Sequence, residues 1–372
     1  MIKFMKILTI IVPTYNMECY LDKCLSSLII PDENLLDELE VLVINDGSKD
    51  SSSEIAHGYE VRYPGIFHVI DKENGNYGSC INRGLQEATG KYIKILDADD
   101  YFNTIDFAKF LMVLSSVDVD MVLTNSSIVD EEDCNVGAMS YISILKDREY
   151  YKFEDILAKG FANRCFMHNV TYKTENVKSL RYCQTEGIAY TDQEWIFMPM
   201  TLVKTVYYTN LDIYHYLLGR VGQTMHSDVL CLKFQDLQTM MFTLMREYEI
   251  FVGEDVYREY LFMRIIVLLH YSVYSKMQYE HIYKEEVIQE FDALFNKTYP
   301  LLYYKTALFF TQNVYLRYIQ QWREGYFLFY FRILRDMGIK KVISIYLADC
   351  DAGRARPYFV MLLINKFIAL NK

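Results

Sequence analysis

Two carboxylates one residue apart, Asp97 and Asp99, follow an apolar run that ends at Leu96, and Asp100 comes directly after them. In an extended segment the side chains at i and i+2 share a face, so Asp97 and Asp99 can point at one ligand together. Carboxylates so close repel each other unless a proton or a cation lies between them. A hard divalent ion, which takes oxygen ligands and keeps room for phosphate oxygens, meets that need. A plainer account of the same residues is an acidic turn, with Asp100 capping a helix near Thr104 or adding a further ligand. Asp46 stands in Asn45-Asp46-Gly47-Ser48 and Asn74 in Asn74-Gly75-Asn76-Tyr77-Gly78, and each segment is also ordinary turn chemistry. The chain has no GxGxxG and no GxxxxGK[ST], which counts against dehydrogenases and P-loop NTPases.

These motifs need elements to position them. Ile7 to Val12 is a short β-branched run stopped by Pro13, the pattern of a strand buried on both faces. Tyr20, Leu21, Cys24, Leu25 and Leu28 recur at helical spacing. Strands follow at 41–44, 66–70 and 92–96, with a helix after Asp50 and another from Ser79 to Ala88 stopped at Gly90. Strands separated by helices in this way predict a mostly parallel α/β sheet. Ligands of open parallel sheets bind beyond the carboxyl ends of the strands. Three strands here end in polar motifs, Pro13-Thr14-Tyr15-Asn16, Asn45-Asp46-Gly47-Ser48 and Asp97-Ala98-Asp99, so the topology gathers them into one crevice. Further on, a helix at 107–114 and a strand at 119–124 are expected, while 125–190 carries no clear pattern. Helical spacing dominates from Val229, which divides the chain into a 1–228 α/β domain and a 229–372 α-helical region. Within the first, 1–100 carries the three polar strand ends and 101–228 the remainder.

The 372 residues are 52% hydrophobic and 23% charged, which excludes a disordered chain. No apolar run is long enough to span a membrane, and Ile7 to Val12 is too short for a signal-peptide core. Eight cysteines without a CxxC pair fit reduced thiols and a cytoplasmic protein. The formal charge of −11 argues against nucleic-acid binding. That charge is uneven, because residues 326–372 carry eight Lys/Arg against three Asp/Glu, with aromatics around Tyr326–Phe331. A basic aromatic segment of this kind suits the inner face of a membrane, and a packed helix with solvated lysines accounts for it equally. The tyrosine-rich stretch 248–330 offers a binding groove, a homodimer interface or simply core.

Four motifs occur in order: Ile10-Ile11-Val12-Pro13-Thr14-Tyr15-Asn16, Val43-Ile44-Asn45-Asp46-Gly47-Ser48, Asn74 to Gly78 with Asn82-Arg83-Gly84, and Leu96-Asp97-Ala98-Asp99-Asp100. Together they resemble the family 2 glycosyltransferases, which have the GT-A fold, a Rossmann-like sheet flanked by helices. The resemblance covers about 6–125 closely and 126–226 more loosely. It implies that Asp46 bonds a nucleobase, most often uracil, in a pocket lined by Pro13, Thr14 and Tyr15, with Asn74 and Asp97 also contacting the sugar nucleotide. It implies that Asp99, with Asp97, holds Mn²⁺ or Mg²⁺ against the leaving diphosphate. It also places an acidic base near 190, where Tyr190-Thr191-Asp192-Gln193-Glu194-Trp195 offers Asp192 as the base and Trp195 as the accompanying aromatic. Glu194 is a second candidate, and an acidic helix N-terminus explains both without catalysis. Gly219-Arg220-Val221-Gly222-Gln223-Thr224 resembles a segment whose arginine reaches the diphosphate, and His226 is a candidate third metal ligand. One departure is that Ile81 stands where many relatives have an arginine.

The resulting expectation is an inverting, metal-dependent glycosyltransferase. It moves a sugar from a nucleotide donor, a UDP-sugar by preference, to a hydroxyl of a cell-surface glycan or lipid-linked acceptor. The missing QxxRW signature favours transfer of one sugar per binding event. Two alternatives stand beside it. A nucleotidyltransferase of similar fold requires a basic, Gly-rich phosphate motif after the first strand, where Pro13-Thr14-Tyr15-Asn16 stands instead. An inactive glycosyltransferase-like interaction subunit predicts loss of an acidic motif, yet Asp46, Asp97, Asp99 and Asp192 are all present.

Overall fold

The computed structural model describes residues 6–345, except 221, 224, 225, 314, 326–328, 330–331, 334–337 and 339. The basic segment 326–372 therefore lies for the most part outside the described residues. The chain divides after Ile265 into two compact units.

The first unit is built on ten strands: β1 (Leu8–Thr14), β2 (Leu39–Asn45), β3 (Phe67–Asp71), β4 (Tyr92–Ile95), β5 (Tyr101–Phe102), β6 (Met121–Val129), β7 (Asn135–Met139), β8 (Glu149–Lys152), β9 (Val170–Lys173) and β10 (Thr205–Leu217). They form one sheet in the order β3-β2-β1-β4-β9-β6-β10-β5, with β7 on β6 and β8 on β10. Every residue of β1, β2 and β4 is buried, as their near-continuous apolar runs predict for strands covered on both faces. β1 pairs in parallel with β2 and β4, and β2 with β3. The parallel expectation describes this half of the sheet. Beyond β4 the sheet turns mixed, because β9 enters antiparallel to both β4 and β6. β9 comes from the stretch whose pattern the sequence left unassigned, since four residues are too few to show a period.

The helices Leu21–Ser26, Ser52–Arg62 and Asn76–Glu87 connect the parallel strands. Asn76–Glu87 begins three residues before the expected Ser79, with Gly75 as its N-cap. The helix Thr104–Ser116 is capped by Asn103, whose Oδ1 accepts from the amides of Ile105 and Asp106. Asp100 is thus not the cap. After β10 only helices follow among the described residues, starting with Ser227–Leu232 and Phe234–Ile250. The change from sheet to helix falls near 228, whereas the division into compact units lies within the helix Asp255–Leu268.

The second unit packs helices such as Glu285–Thr298, Pro300–Gln312 and Arg317–Glu324. Its interior holds an ion pair, Arg323 Nε to Asp292 Oδ1 at 2.9 Å, with Tyr303 donating to Asp292 Oδ2 at 2.7 Å. Tyr274 also donates to Asp292. The buried charges are paired and bonded, with Tyr274 wholly buried beside them and Tyr303 half-buried. No described helix is long and apolar enough to cross a membrane.

Candidate active site

The parallel register decides where the motifs meet. Thr14 aligns with Asn45 across β1 and β2, and Ile11 aligns with Ile95 across β1 and β4. The segments leaving these strands, at Tyr15, Asp46 and Asp97, therefore emerge at one edge of the sheet. Left-handed backbone at Asn16 (φ 53°) and Gly47 (φ 73°) turns the first two away from the strands. The turns tie to each other: Asn16 accepts from the Lys49 amide at 2.8 Å, and Ser48 Oγ accepts from the Asn16 amide at 3.1 Å.

A cleft of about 490 Å³ opens here, lined by Tyr15, Gly47, Lys49, Lys72, Glu73 and Asn74 among others. Tyr15 is 45% exposed and Asp46 only 2%. Pro13 and Thr14 are buried, and the Thr14 hydroxyl turns back to the Val12 carbonyl, so Tyr15 alone of these three presents a side chain to the cleft. Asp46 Oδ1 accepts from Lys72 Nζ at 2.5 Å and from the Gly75 amide at 2.9 Å, while Asn74 Nδ2 donates to the Asp46 carbonyl. Asp46 thereby shapes the 72–75 wall. Lys72, which no sequence motif singled out, is its cation.

The second group lies beyond β4. Tyr214 on β10 joins the ends of the acidic motif, accepting from the Asp97 amide at 3.2 Å and donating to Asp100 Oδ2 at 2.6 Å. Asp100 Oδ1 accepts from the Leu217 amide at 2.7 Å, so Asp100 fastens the acidic loop to the end of β10. Asp97 Oδ1 accepts from Tyr77 at 2.9 Å. Asp99 Oδ2 accepts from Arg220 Nε at 2.5 Å, and the guanidinium lies 5.7 Å from the Tyr20 ring centre. Buried Gln223 holds the loop that carries Arg220, bonding Leu217 and Gly219.

Asp100, which the sequence offered as a further ligand, and an imidazole that it did not single out come close to Asp97. Asp97, Asp100 and His168 bring ligand atoms within 4.8 Å of one another. His168 Nδ1 is buried without a hydrogen-bond partner. Burial, with the Lys94 ammonium next, pushes the imidazole down to about 3, so it is neutral. Burial, followed by the charge of Asp99, pushes the Asp97 carboxyl up to about 8. Crowded oxygens that hold a proton at neutral pH and an orphaned neutral imidazole fit a hard divalent cation. His226 is exposed, with Nδ1 3.8 Å from Asp228, and stands outside this group.

Asp192 opens the short helix Asp192–Trp195, after left-handed Tyr190 (φ 66°). Gln193 Nε2 donates to its Oδ2 at 2.7 Å. Burial pushes its carboxyl up to about 6, against the pull of Gln193 and Arg264. Its charge acts on Asp97, Tyr77 and Tyr216, so the fold brings residue 192 to the acidic motif from almost a hundred residues away. Glu194 is buried, and its Oε2 accepts from the Thr185 amide at 2.8 Å, which ties down the preceding loop. Trp195 is wholly buried, edge-on to Tyr172 with ring centres 5.4 Å apart.

Residues 9–172 match the profile described as Glycosyl transferase family 2. The family match covers the sheet from β1 to β9 and includes both Asp46 and Asp97. Among curated relatives, the uncharacterized glycosyltransferase MG025 of Mycoplasma genitalium is 43% identical over 103 residues, 27% of this chain and 34% of its own. The putative glycosyltransferase EpsH of Bacillus subtilis is 26% identical over 211 residues, 56% of this chain and 60% of its own. The chain thus spans between a third and three fifths of these two relatives. Among solved structures, S. aureus TarS 1–349 in complex with UDP-GlcNAc superposes with a TM-score of 0.59 at 19% identity, covering 86% of this chain and 92% of that TarS 1–349 chain. That likeness gives the chain the GT-A fold, with its mixed sheet and helical C-terminal region.

Proposed function

We propose that the protein is an inverting, metal-dependent glycosyltransferase that moves a sugar from a UDP-sugar to a hydroxyl of a glycan or lipid-linked saccharide at the cytoplasmic side of the cell membrane. The observation that carries the reading is the gathering of Asp97, Asp99 and Arg220 at the strand ends, with Asp192 acting on Asp97 from another segment. TarS, with UDP-GlcNAc in its crystal structure, supports a uracil nucleotide.

In this reading Tyr15 stacks on the base, which lies against the wall that Asp46 shapes, and Asp97 contacts the ribose side. Asp97 and Asp99 would hold a divalent cation, with Asp100 and His168 beside Asp97 as the further oxygen and nitrogen groups near it, and the cation would neutralise charge developing on the diphosphate. Arg220 turns its guanidinium from Asp99 to the diphosphate, where its fork pairs two oxygens. Asp192 takes the proton of the acceptor hydroxyl as that oxygen attacks the anomeric carbon. The new glycosidic bond forms as the bond from sugar to diphosphate oxygen breaks, and UDP leaves with the electron pair. A base held near pH 6 is ionised at neutral pH yet basic enough to share a proton in the transition state.

Calorimetric titration of UDP with Mn²⁺ or with EDTA, on wild type and Asp99→Ala, tests the donor half. Metal-dependent binding lost in the variant is expected. Equal binding in EDTA refutes the cation's role, and preference for GDP overturns the donor. Release of UDP from a panel of UDP-sugars, lost in Asp192→Asn while UDP still binds, tests the base.

A further inference from the structure

Asp192 is not held by its own helix alone. Its Oδ2 accepts from Gln193 Nε2 at 2.7 Å, and the other end of that amide, Gln193 Oε1, accepts from Arg264 Nη2 at 2.9 Å. Arg264 lies on the helix Asp255–Leu268, is 4% exposed, and is anchored by a second bond from Nη1 to the Ala162 carbonyl at 2.8 Å. An arginine has only donors, and it stays charged. The oxygen end of the Gln193 amide must therefore face Arg264, which leaves the NH₂ end facing Asp192. The chain Arg264 to Gln193 to Asp192 has one hydrogen-bond direction and cannot flip.

The groups around Asp192 make that direction matter. Asp97 faces it from the acidic loop, Glu194 from its own helix, and the phenols of Tyr77, Tyr190 and Tyr216 from three further segments. Neither Asp97 nor Glu194 attracts a carboxylate. Among these described neighbours Arg264 is the one cation, and Gln193 is the side chain through which it reaches Asp192.

We propose that Arg264 and Gln193 are positioning residues that aim the Asp192 carboxylate at the acceptor hydroxyl. The inference rests on the reading of Asp192 as the base. Neither residue touches the substrate. Gln193 fixes the plane of the carboxylate by holding one oxygen, and Arg264 fixes Gln193. The effect falls on the chemical step and leaves donor binding alone, because a small misplacement of a reacting group costs up to about a hundredfold in rate.

The experiment uses the full chain with Mn²⁺ and the UDP-sugar from which the wild type releases UDP fastest, with water as acceptor. Gln193→Met removes both bonds. Gln193→Glu keeps a partner for Arg264, now charged, but offers no N–H to Asp192. Both are expected to lower kcat about tenfold or more, with donor KM and UDP affinity within about twofold of wild type. If Gln193 serves only to satisfy buried Arg264, Gln193→Glu retains both wild-type kcat and melting temperature, and that result overturns the proposal. Arg264→Lys, with a single ammonium for two acceptors, is expected to fall between. In an Asp192→Asn background Gln193→Met should cost nothing more, and a further loss there refutes action through Asp192. Should Gln193→Met fail to fold, Gln193→Glu carries the test alone. Wild-type kcat in Asp192→Asn sinks the base assignment itself, whatever the Gln193 variants do.

Discussion

Replacing Lys94 by methionine isolates one buried charge beneath the site. Lys94 is the third residue of β4, wholly buried, and its Nζ donates to the carbonyls of His168 at 2.6 Å and Val170 at 3.2 Å. These bonds tie β9 and the turn bearing His168 to the strand that delivers Asp97. Burial alone pushes the ammonium down to about 7 from an ordinary 10.5. Between those values the unfolded chain holds a proton that the folded chain has released, so stability rises with pH across about 7 to 10.5 and is lost as pH falls through about 7. The ceiling is about 1.4 kcal/mol per pH unit, or roughly 2 kcal/mol between pH 7 and 9. The two carbonyls favour the ammonium and reduce this, which leaves about 1–2 kcal/mol. The neutral amine keeps two N–H groups for two carbonyls, whereas methionine leaves both acceptors bare. Urea denaturation at pH 7, 8 and 9, followed by Trp195 fluorescence in a Trp322→Phe background, gives the stability of each protein. Wild type should gain about 1–2 kcal/mol on Lys94→Met over that range, other titrations cancelling in the difference. A difference that stays flat from pH 7 to 9 refutes the argument.

Gly78→Ala should destabilise by about 3 kcal/mol despite alanine's better helix propensity, because a Cβ there would sit 2.2 Å from the Thr185 carbonyl oxygen; a wild-type melting temperature disproves the contact. Arg220→Ala is expected to weaken UDP binding about tenfold, roughly 1.4 kcal/mol, and unchanged calorimetric affinity would remove Arg220 from the donor site. Tyr15→Ala should cost about 1 kcal/mol of UDP affinity while Tyr15→Phe costs nothing, since the ring and not the hydroxyl does the stacking. Mn²⁺ at a hundred times its dissociation constant should stabilise wild type by about 2.7 kcal/mol and leave Asp97→Asn unmoved, as read from thermal melts with and without EDTA.

Much of the donor side was legible in the residues. The β-branched runs of β1 and β2 declare strands buried on both faces, and Asp46-Gly47-Ser48 marks where β2 stops, whereas Pro13, read as the stop of β1, pairs with Ile44 inside it and the strand runs on to Thr14. Parallel pairing then sends Tyr15, Asp46 and Asp97 to one edge. The acceptor side was not legible in this way. β9 has four residues and no period, so nothing local announced that it would enter the sheet antiparallel between β4 and β6. Lys94 alternates with Ile93 and Ile95 as a solvent-facing lysine would, and only the segment 168–170 lying over it makes it a buried charge. His168 stood in no motif.

Sequence by itself determined which strands run parallel through the core and which acidic residues their ends carry, because strand period and turn residues act over a few positions. Tertiary structure alone decided that Asp100 is bound by Tyr214 and Leu217, that Glu194 ties down a loop, and that Arg264 reaches Asp192 through Gln193. Each of those residues reads as an ordinary polar side chain along the chain. Its role comes from a partner brought up by the packing of distant elements, and hydrogen bonds of that kind leave no periodic trace in the sequence.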